Sequence, residues 1–266
     1  MLGLLIVFFC GAIVSAWSYN EWGTAWGIIC GAVAMILTWA VLGLLLRRRM
    51  SAQQQKIQDI MQAAQIKINR QLEMFQRRPP SSEKAARQIM EKIQFEAVRK
   101  SLEELDSFKK FYKWNPVLFK QINTMKMQLY YQLREYGKVD ELLPKCMLFD
   151  SQSVAIKLAR MFKKEDNGLD KFFKSKIRRF RGDERAYLAS VYAWIKLKQD
   201  DSSKALDALL EAKKLSDNPV LLDNIEKLTN GKVRHYSNSG FGDIWYALSL
   251  EEPKMKTQRQ YVGRGF

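Results

Sequence analysis

Residues 24–49, TAWGIICGAVAMILTWAVLGLLLRRR, decide the fold of the N-terminal part of the chain. Residues 24–46 carry no charge, and at about 1.5 Å per residue they are long enough to cross about 30 Å of hydrocarbon. Arg47, Arg48 and Arg49 follow directly, and positive residues stay on the cytoplasmic side of a membrane. The stretch therefore predicts a transmembrane helix that ends in the cytoplasm, with the three arginines in contact with lipid headgroups.

A shorter apolar run, residues 2–17, precedes this helix. Trp17, Trp22 and Trp26 surround the connection between the two runs, and indole rings favour the headgroup level of a bilayer. The two runs predict a transmembrane hairpin over residues 1–46, with the bulk of the chain in the cytoplasm. In the alternative, the first run is a signal peptide that ends at Ala16, and the second helix keeps the same orientation.

Small residues recur at every fourth position in the hairpin. Gly23, Gly27 and Gly31 have this spacing on the predicted second helix, and it allows two helix backbones to approach closely. Packing within the hairpin is the simpler interpretation, and a homo-oligomer formed through these glycines is the alternative.

The charge distribution divides the chain at Arg47. All 44 Lys and Arg residues lie from Arg47 onward, together with every acidic residue except Glu21. Three cysteines and one histidine argue against a disulfide framework and against a His/Cys zinc site. The sequence also lacks a phosphate-binding loop or a dinucleotide fingerprint. We therefore expect no enzyme activity, no cofactor and no metal, and the basic excess indicates protein or lipid partners.

Beyond the hairpin, the apolar spacing is helical. Residues 47–80 predict a basic juxtamembrane amphipathic helix that ends at Pro79-Pro80. This helix could form a stalk or coiled coil, lie on lipid, or lie on the following domain. Residues 81–230 show no alternating pattern that is typical of a strand, so the predicted fold class is all-α. Residues 231–266 predict a short helix and a flexible basic tail, with docking as a short motif as the alternative.

Internal repetition gives the helical domain its predicted architecture. Asn115-Pro116-Val117-Leu118 recurs as Asn218-Pro219-Val220-Leu221, about three tetratricopeptide-repeat (TPR) periods of roughly 34 residues later. Residues 204–215, KALDALLEAKKL, resemble the second helix of such a repeat. The resemblance implies a TPR-like α-solenoid of helical hairpins, with units at about 117–150, 151–182 and 183–217 and a capping helix over 219–229. A generic array of helical hairpins is the alternative.

The layout of a membrane hairpin followed by TPR-like helices is similar to that of HemY-type inner-membrane proteins. That resemblance implies a bacterial inner membrane. The expected function is a membrane-anchored cytoplasmic scaffold or adaptor that binds partner proteins through its repeats. The alternative is a structural subunit of a larger membrane complex for secretion, respiration or envelope assembly.

Two sets of residues are candidate partner-binding sites. The first helix of a TPR pair lines the groove, and in the 183–217 unit its groove side would carry Tyr187, Ser190, Trp194 and Lys198, unless Trp194 and its neighbours form core. The second set is the densest basic stretch, which includes Lys174, Lys176, Arg178, Arg179, Arg181 and Arg185. It predicts contact with an acidic protein segment first, anionic lipid second and nucleic acid third, with a solvated helix face as the alternative.

Overall fold

The computed structural model describes the whole chain except Met1, Pro79, Ser81, Asn115 and residues 253–266. Every regular element in the described part is helical, which confirms the all-α fold class. The chain divides into two compact units, Met1–Met147 and Leu148–Phe266. The predicted basic tail, residues 254–266, lies outside the described residues.

The first unit is built on two N-terminal helices and a helix that returns along the second of them. Its elements are α1 (Leu2–Trp22), α2 (Thr24–Arg77), α3 (Glu83–Asp106), a 3-10 turn (Ser107–Phe111), α4 (Pro116–Gln132), α5 (Tyr136–Leu142) and a second 3-10 turn (Leu143–Lys145). One segment near the N-terminus, Thr24–Leu45, is long and apolar enough to cross a membrane, whereas the apolar part of α1, Leu5–Glu21, is shorter. Large apolar side chains on both helices are exposed, including Phe9, Ile36 and Trp39, and so extended an apolar surface requires an apolar environment.

Small residues bring α1 and α2 into close contact. A Cβ atom added at Gly31 would lie 2.8 Å from Ser15 Cβ and 3.2 Å from the Gly11 carbonyl oxygen. A Cβ atom added at Gly27 would lie 3.2 Å from the Ser15 carbonyl oxygen. Gly23 differs, because it precedes α2 with φ +86° and makes the turn rather than the helix contact. Gly27 and Gly31 therefore face α1 of the same chain, as the simpler interpretation predicts.

Replacing Gly31 with leucine is expected to destabilise the hairpin by about 1–2 kcal/mol, because the new side chain must displace Ser15 and the backbone of α1. Gly43→Leu is the matched control, since no atom lies within 4 Å of a Cβ atom at that position. Thermal unfolding of the full chain in detergent, followed by circular dichroism, measures the effect. Equal melting temperatures for the two variants would contradict the hairpin contact.

The predicted juxtamembrane helix is the continuation of the apolar one. Helix α2 runs without interruption through the arginines to Arg77, a length of 54 residues. Its apolar face packs against α3 and the following turn, where Ala64 is buried and Ile57 contacts the core. Ser107 Oγ donates a hydrogen bond to Gln53 Oε1 at 2.9 Å, so α3 runs back along α2 toward the arginines. Of the three arrangements left open by the sequence, the structure shows the contact with the following helices.

The core of the first unit lies where α3, the 3-10 turn and α4 meet. One cluster of buried apolar side chains there is formed by Leu105, Phe108, Phe111, Leu118 and Ile122. Ion pairs tie the surface of α4 and its C-terminal turn to α3, since Lys126 contacts Asp106 and Arg134 contacts Glu91 at 3.2 Å.

The second unit consists of two helix pairs, a further helix and a C-terminal segment. The helices are α6 (Ser151–Lys163), α7 (Leu169–Ile177), α8 (Gly182–Lys198), α9 (Ser202–Lys213), α10 (Pro219–Thr229) and α11 (Asp243–Tyr246). The side chains of Asp150, Asp201 and Asn218 cap the starts of α6, α9 and α10. These caps satisfy N–H groups that a helix start leaves without a partner.

Helix α8 is the centre of the second unit. All twelve residues from Arg185 to Lys196 are buried, and α6, α7, α9 and α10 all contact the helix. A helix that is apolar on every side lies within a core rather than at a surface. This position decides what the candidate groove residues can do.

Candidate functional site

Three of the four predicted groove residues lie in the core of the second unit. Tyr187, Ser190 and Trp194 are 2%, 0% and 6% exposed. Only Lys198 is exposed, with its Nζ 5.2 Å from the centre of the Trp194 ring. The structure therefore favours the core alternative, because a partner cannot reach these three side chains in the folded unit.

A segment of the same chain covers the face of α8 that carries these residues. We call residues 236–251 the strap. Tyr236 and Asn238 both donate hydrogen bonds to the Ser190 carbonyl oxygen, at 2.8 and 3.0 Å. Tyr187 donates through its hydroxyl to the Ile244 carbonyl oxygen at 2.9 Å. The strap thus occupies the surface that the sequence assigned to a partner.

Two tryptophans and one carboxylate fix the end of the strap. Trp194 and Trp245 pack edge to face with ring centres 5.6 Å apart, and Trp245 is fully buried. Glu251 accepts a hydrogen bond from each indole, at 2.6 Å from Trp194 Nε1 and 3.1 Å from Trp245 Nε1. Burial also raises the pKa of Tyr236 above its usual range. The strap is therefore part of the fold of the second unit.

A buried lysine joins α7 to α8. Lys196 is 7% exposed and its Nζ lies 2.5 Å from Asp170 Oδ1. Tyr192 donates a hydrogen bond to the same carboxylate at 3.1 Å. Burial raises the pKa of Asp170, but hydrogen bonds and positive charge from Lys196, the Tyr192 hydroxyl and Lys204 outweigh it and lower the pKa overall. With three groups satisfying its charge, this carboxylate stabilises the fold and is poorly suited to accept a proton in catalysis.

The basic stretch separates into an exposed part and buried anchors. Phe173 and Phe180 are buried in the core. Arg185, predicted to meet a partner, is only 4% exposed and donates hydrogen bonds to the Ile177 carbonyl oxygen at 3.2 Å and to Glu211 at 3.4 Å. Arg185 is therefore a structural residue of the unit. The remaining basic side chains are exposed or half-buried at the surface: Lys174, Lys176, Arg178, Arg179 and Arg181.

An exposed phenylalanine extends this surface. Phe149 is 60% exposed, and the guanidinium of Arg179 lies 5.2 Å from the centre of its ring. We call Phe149 and the five exposed or half-buried basic residues the basic face. Sequence reasoning missed Phe149 because it stands between two helices, where no periodicity marks its role.

The residues expected at the headgroups flank the apolar part of the two N-terminal helices. Trp17 and Trp26 are exposed near the turn between α1 and α2, and Arg48 and Arg49 are exposed beyond the apolar stretch of α2. The side chains of Trp22 and Arg47 lie outside the described part of the structure.

Neither a metal site among the described residues nor a similar known protein gives further information about function. Among the described residues, no group of three or more His, Cys, Asp or Glu side chains could hold a metal ion. No family model matches the chain, and no curated protein and no solved structure is similar to it. The candidate function therefore rests on the surfaces described above.

Proposed function

We propose that the protein is a membrane-anchored scaffold that binds acidic segments of partner proteins through the basic face. In this proposal α1 and the apolar part of α2 cross the membrane as a hairpin, and Arg47, Arg48 and Arg49 hold the following helices on the cytoplasmic side. A bacterial inner membrane is the proposed location. The paired helices α6–α7 and α8–α9, followed by α10, are proposed to be a short TPR-like array.

The observation that carries the proposal is the contact between Arg179 and the exposed Phe149. Residues that dominate the energetics of protein interfaces include arginine and large aromatic side chains, because the aromatic ring supplies contact area and the guanidinium supplies directed hydrogen bonds to carboxylates. The neighbouring Arg178, Arg181 and Lys174 supply a positive field that attracts carboxylates. Since Phe173 and Phe180 anchor this segment in the core, the charges are presented on a fixed support.

The strap changes where a partner is expected to bind. Helical repeats commonly bind through the surface that is lined by the first helix of each pair. In the second unit, that face of α8 is covered by the chain itself. The basic face remains exposed, so the proposal moves the partner from the groove to this surface.

Reversing the charges of Arg178 and Arg179 is expected to lower partner binding about tenfold or more, because it removes the charge beside Phe149 and the adjacent one and adds repulsion. A photo-crosslinking amino acid at Phe149, in the full chain expressed in cells, measures the yield of the crosslinked partner. The matched control is Lys213→Glu with Lys214→Glu, which makes the same charge change at other exposed positions of the same unit. Equal yields in the two double variants would refute the basic face as the binding site.

A structural subunit of a larger membrane complex is the second candidate. Leu210 and Leu215 are large apolar residues that are more than two-fifths exposed, and a permanent neighbour would cover such a surface. Native electrophoresis of detergent-solubilised membranes separates the candidates. A stable stoichiometric complex supports the subunit, whereas weak association that salt dissociates supports the scaffold.

A further inference from the structure

A cavity of about 680 Å³ lies in the first unit where the apolar part of α2 meets the arginines. Its walls include Leu42, Leu45, Arg49, Lys110, Phe111 and Trp114. Apolar side chains thus lie beside two positive charges at the proposed membrane surface.

The segment SFKKFYKW, residues 107–114, forms one side of this cavity and is held in place by contacts to α2 and α1. Ser107 bonds to Gln53 on α2, and Phe108 and Phe111 are buried in the core of the unit. A Cβ atom added at Gly3 would lie 3.8 Å from the Trp114 carbonyl oxygen and 3.9 Å from its ring, so Trp114 lies against α1. Residues 107–114 therefore form a fixed wall of the cavity. Lys110 belongs to this packed segment and is not an isolated surface lysine.

The cavity has apolar side chains on one side and positive charges on the other, as the acyl chain and the phosphate of a phospholipid require. Leu45 belongs to the exposed apolar surface of α2, along which an acyl chain can lie without leaving the hydrocarbon. Arg49 is one helical turn further on, at headgroup level, and Lys110 lies in the opposite wall. Neither cation has an acidic partner within the described part of the chain. A guanidinium and an ammonium are the groups that bind phosphate most readily.

We propose that this cavity binds one anionic phospholipid, whose phosphate contacts Arg49 and Lys110 and whose acyl chain lies on Leu42, Leu45 and Trp114. The inference rests on the proposed function in one respect, that α2 crosses a membrane. A phospholipid fits better than a free phosphate ion, because the apolar wall continues into the surface that the bilayer covers.

Lipid selectivity of the full chain tests this proposal. The protein is reconstituted in phosphatidylcholine bilayers with a trace of spin-labelled phosphatidylglycerol or phosphatidylcholine, and electron spin resonance measures the lipid immobilised by the protein. The wild type is expected to prefer phosphatidylglycerol, and Arg49→Gln with Lys110→Gln is expected to reduce that preference about fivefold. Ala52→Trp, which fills the cavity and keeps both charges, is expected to reduce it as well.

The matched control is Lys56→Gln with Lys113→Gln, which removes the same charge from exposed positions of the same two segments outside the cavity wall. An equal loss in this control would show a diffuse surface effect and overturn the proposal, as would a wild type without preference. Displacement of the labelled lipid by millimolar glycerol phosphate would identify a phosphate site that needs no acyl chain, and would also overturn it. Carbonate extraction of native membranes tests the anchor separately, since release of the protein contradicts the proposed function. Melting curves confirm that each variant is folded.

Discussion

Replacing Trp245 with alanine is expected to lower the stability of the second unit by about 3–5 kcal/mol, the usual range for deletion of a buried aromatic side chain. Trp245 is fully buried, packs against Trp194 and shares the Glu251 carboxylate with it. Its loss opens a cavity beside α8 and removes one of the two donors to that carboxylate. The strap should then detach from α8 more often.

Hydrogen exchange of the full chain in detergent measures this effect at the amides of α8. Faster exchange throughout α8 is expected for Trp245→Ala. The matched control is Ile244→Ala, because the Ile244 side chain is exposed and the substitution keeps the carbonyl oxygen that accepts a hydrogen bond from Tyr187. Unchanged exchange in Trp245→Ala would show that the strap does not stabilise α8.

Replacing Asp170 with asparagine is expected to destabilise the second unit by about 3 kcal/mol, because it leaves the buried Lys196 ammonium without its counter-charge. The lower end of the range for buried ion pairs applies, since Asp170 itself is about one-third exposed. Urea unfolding of the full chain, compared with that of Asp207→Asn on the exposed surface of α9, measures the difference. Identical midpoints for the two variants would contradict a stabilising role for the pair.

The Asp170 carboxylate also makes the free energy of unfolding of the second unit depend on pH, and the direction of this dependence follows from its pKa. Against the effect of burial, hydrogen bonds and positive charge from Lys196, Tyr192 and Lys204 hold the folded-state pKa of Asp170 below its usual value, so the folded unit holds this proton less tightly than the unfolded chain does. The contribution of Asp170 to stability is fully present above about pH 4 and is lost as the pH falls through the lower folded-state pKa. Asp170→Asn should lack this component, so the stability difference between wild type and variant is expected to shrink in acid.

Local signals in the sequence predicted the helices well. Asn218-Pro219 marks the start of α10, as a capping residue followed by proline should. The glycines at 27 and 31 lie in the contact between α1 and α2. These features depend on residues close together in the chain, and such signals can be read from one sequence.

Features that depend on distant residues could not be read in this way. Helix α8 is apolar on several sides, so its periodicity does not show which side faces the strap. The strap bonds to residues 46 to 57 positions away in the chain, and its turn-rich composition resembles that of a flexible terminus. In the sequence, Arg185 is indistinguishable from the other residues of the basic run. Its two acceptors, the Ile177 carbonyl oxygen and the Glu211 carboxylate, belong to other helices.

The sequence did not predict the continuity of α2 past Arg47, and the reason differs from that for the strap. The change from apolar residues to Arg47 is a sharp change of polarity, and it predicts a boundary between two elements. Arginine, glutamine and alanine all favour helix, so the backbone continues through that change of polarity. Sequence composition therefore located the end of the apolar stretch and said nothing about a break in the helix.

An unbroken α2 has a mechanical consequence. From Leu45 to Arg77 the helix extends about 48 Å beyond its apolar stretch, and transmembrane helices tilt when the hydrocarbon around them becomes thinner. Without a hinge at the arginines, a change in tilt of about 10° would swing Arg77 sideways by about 8 Å. In the proposed membrane arrangement, α2 would therefore act as a lever arm, whose outer end converts a small change in bilayer thickness into a displacement larger than the spacing between two helix turns.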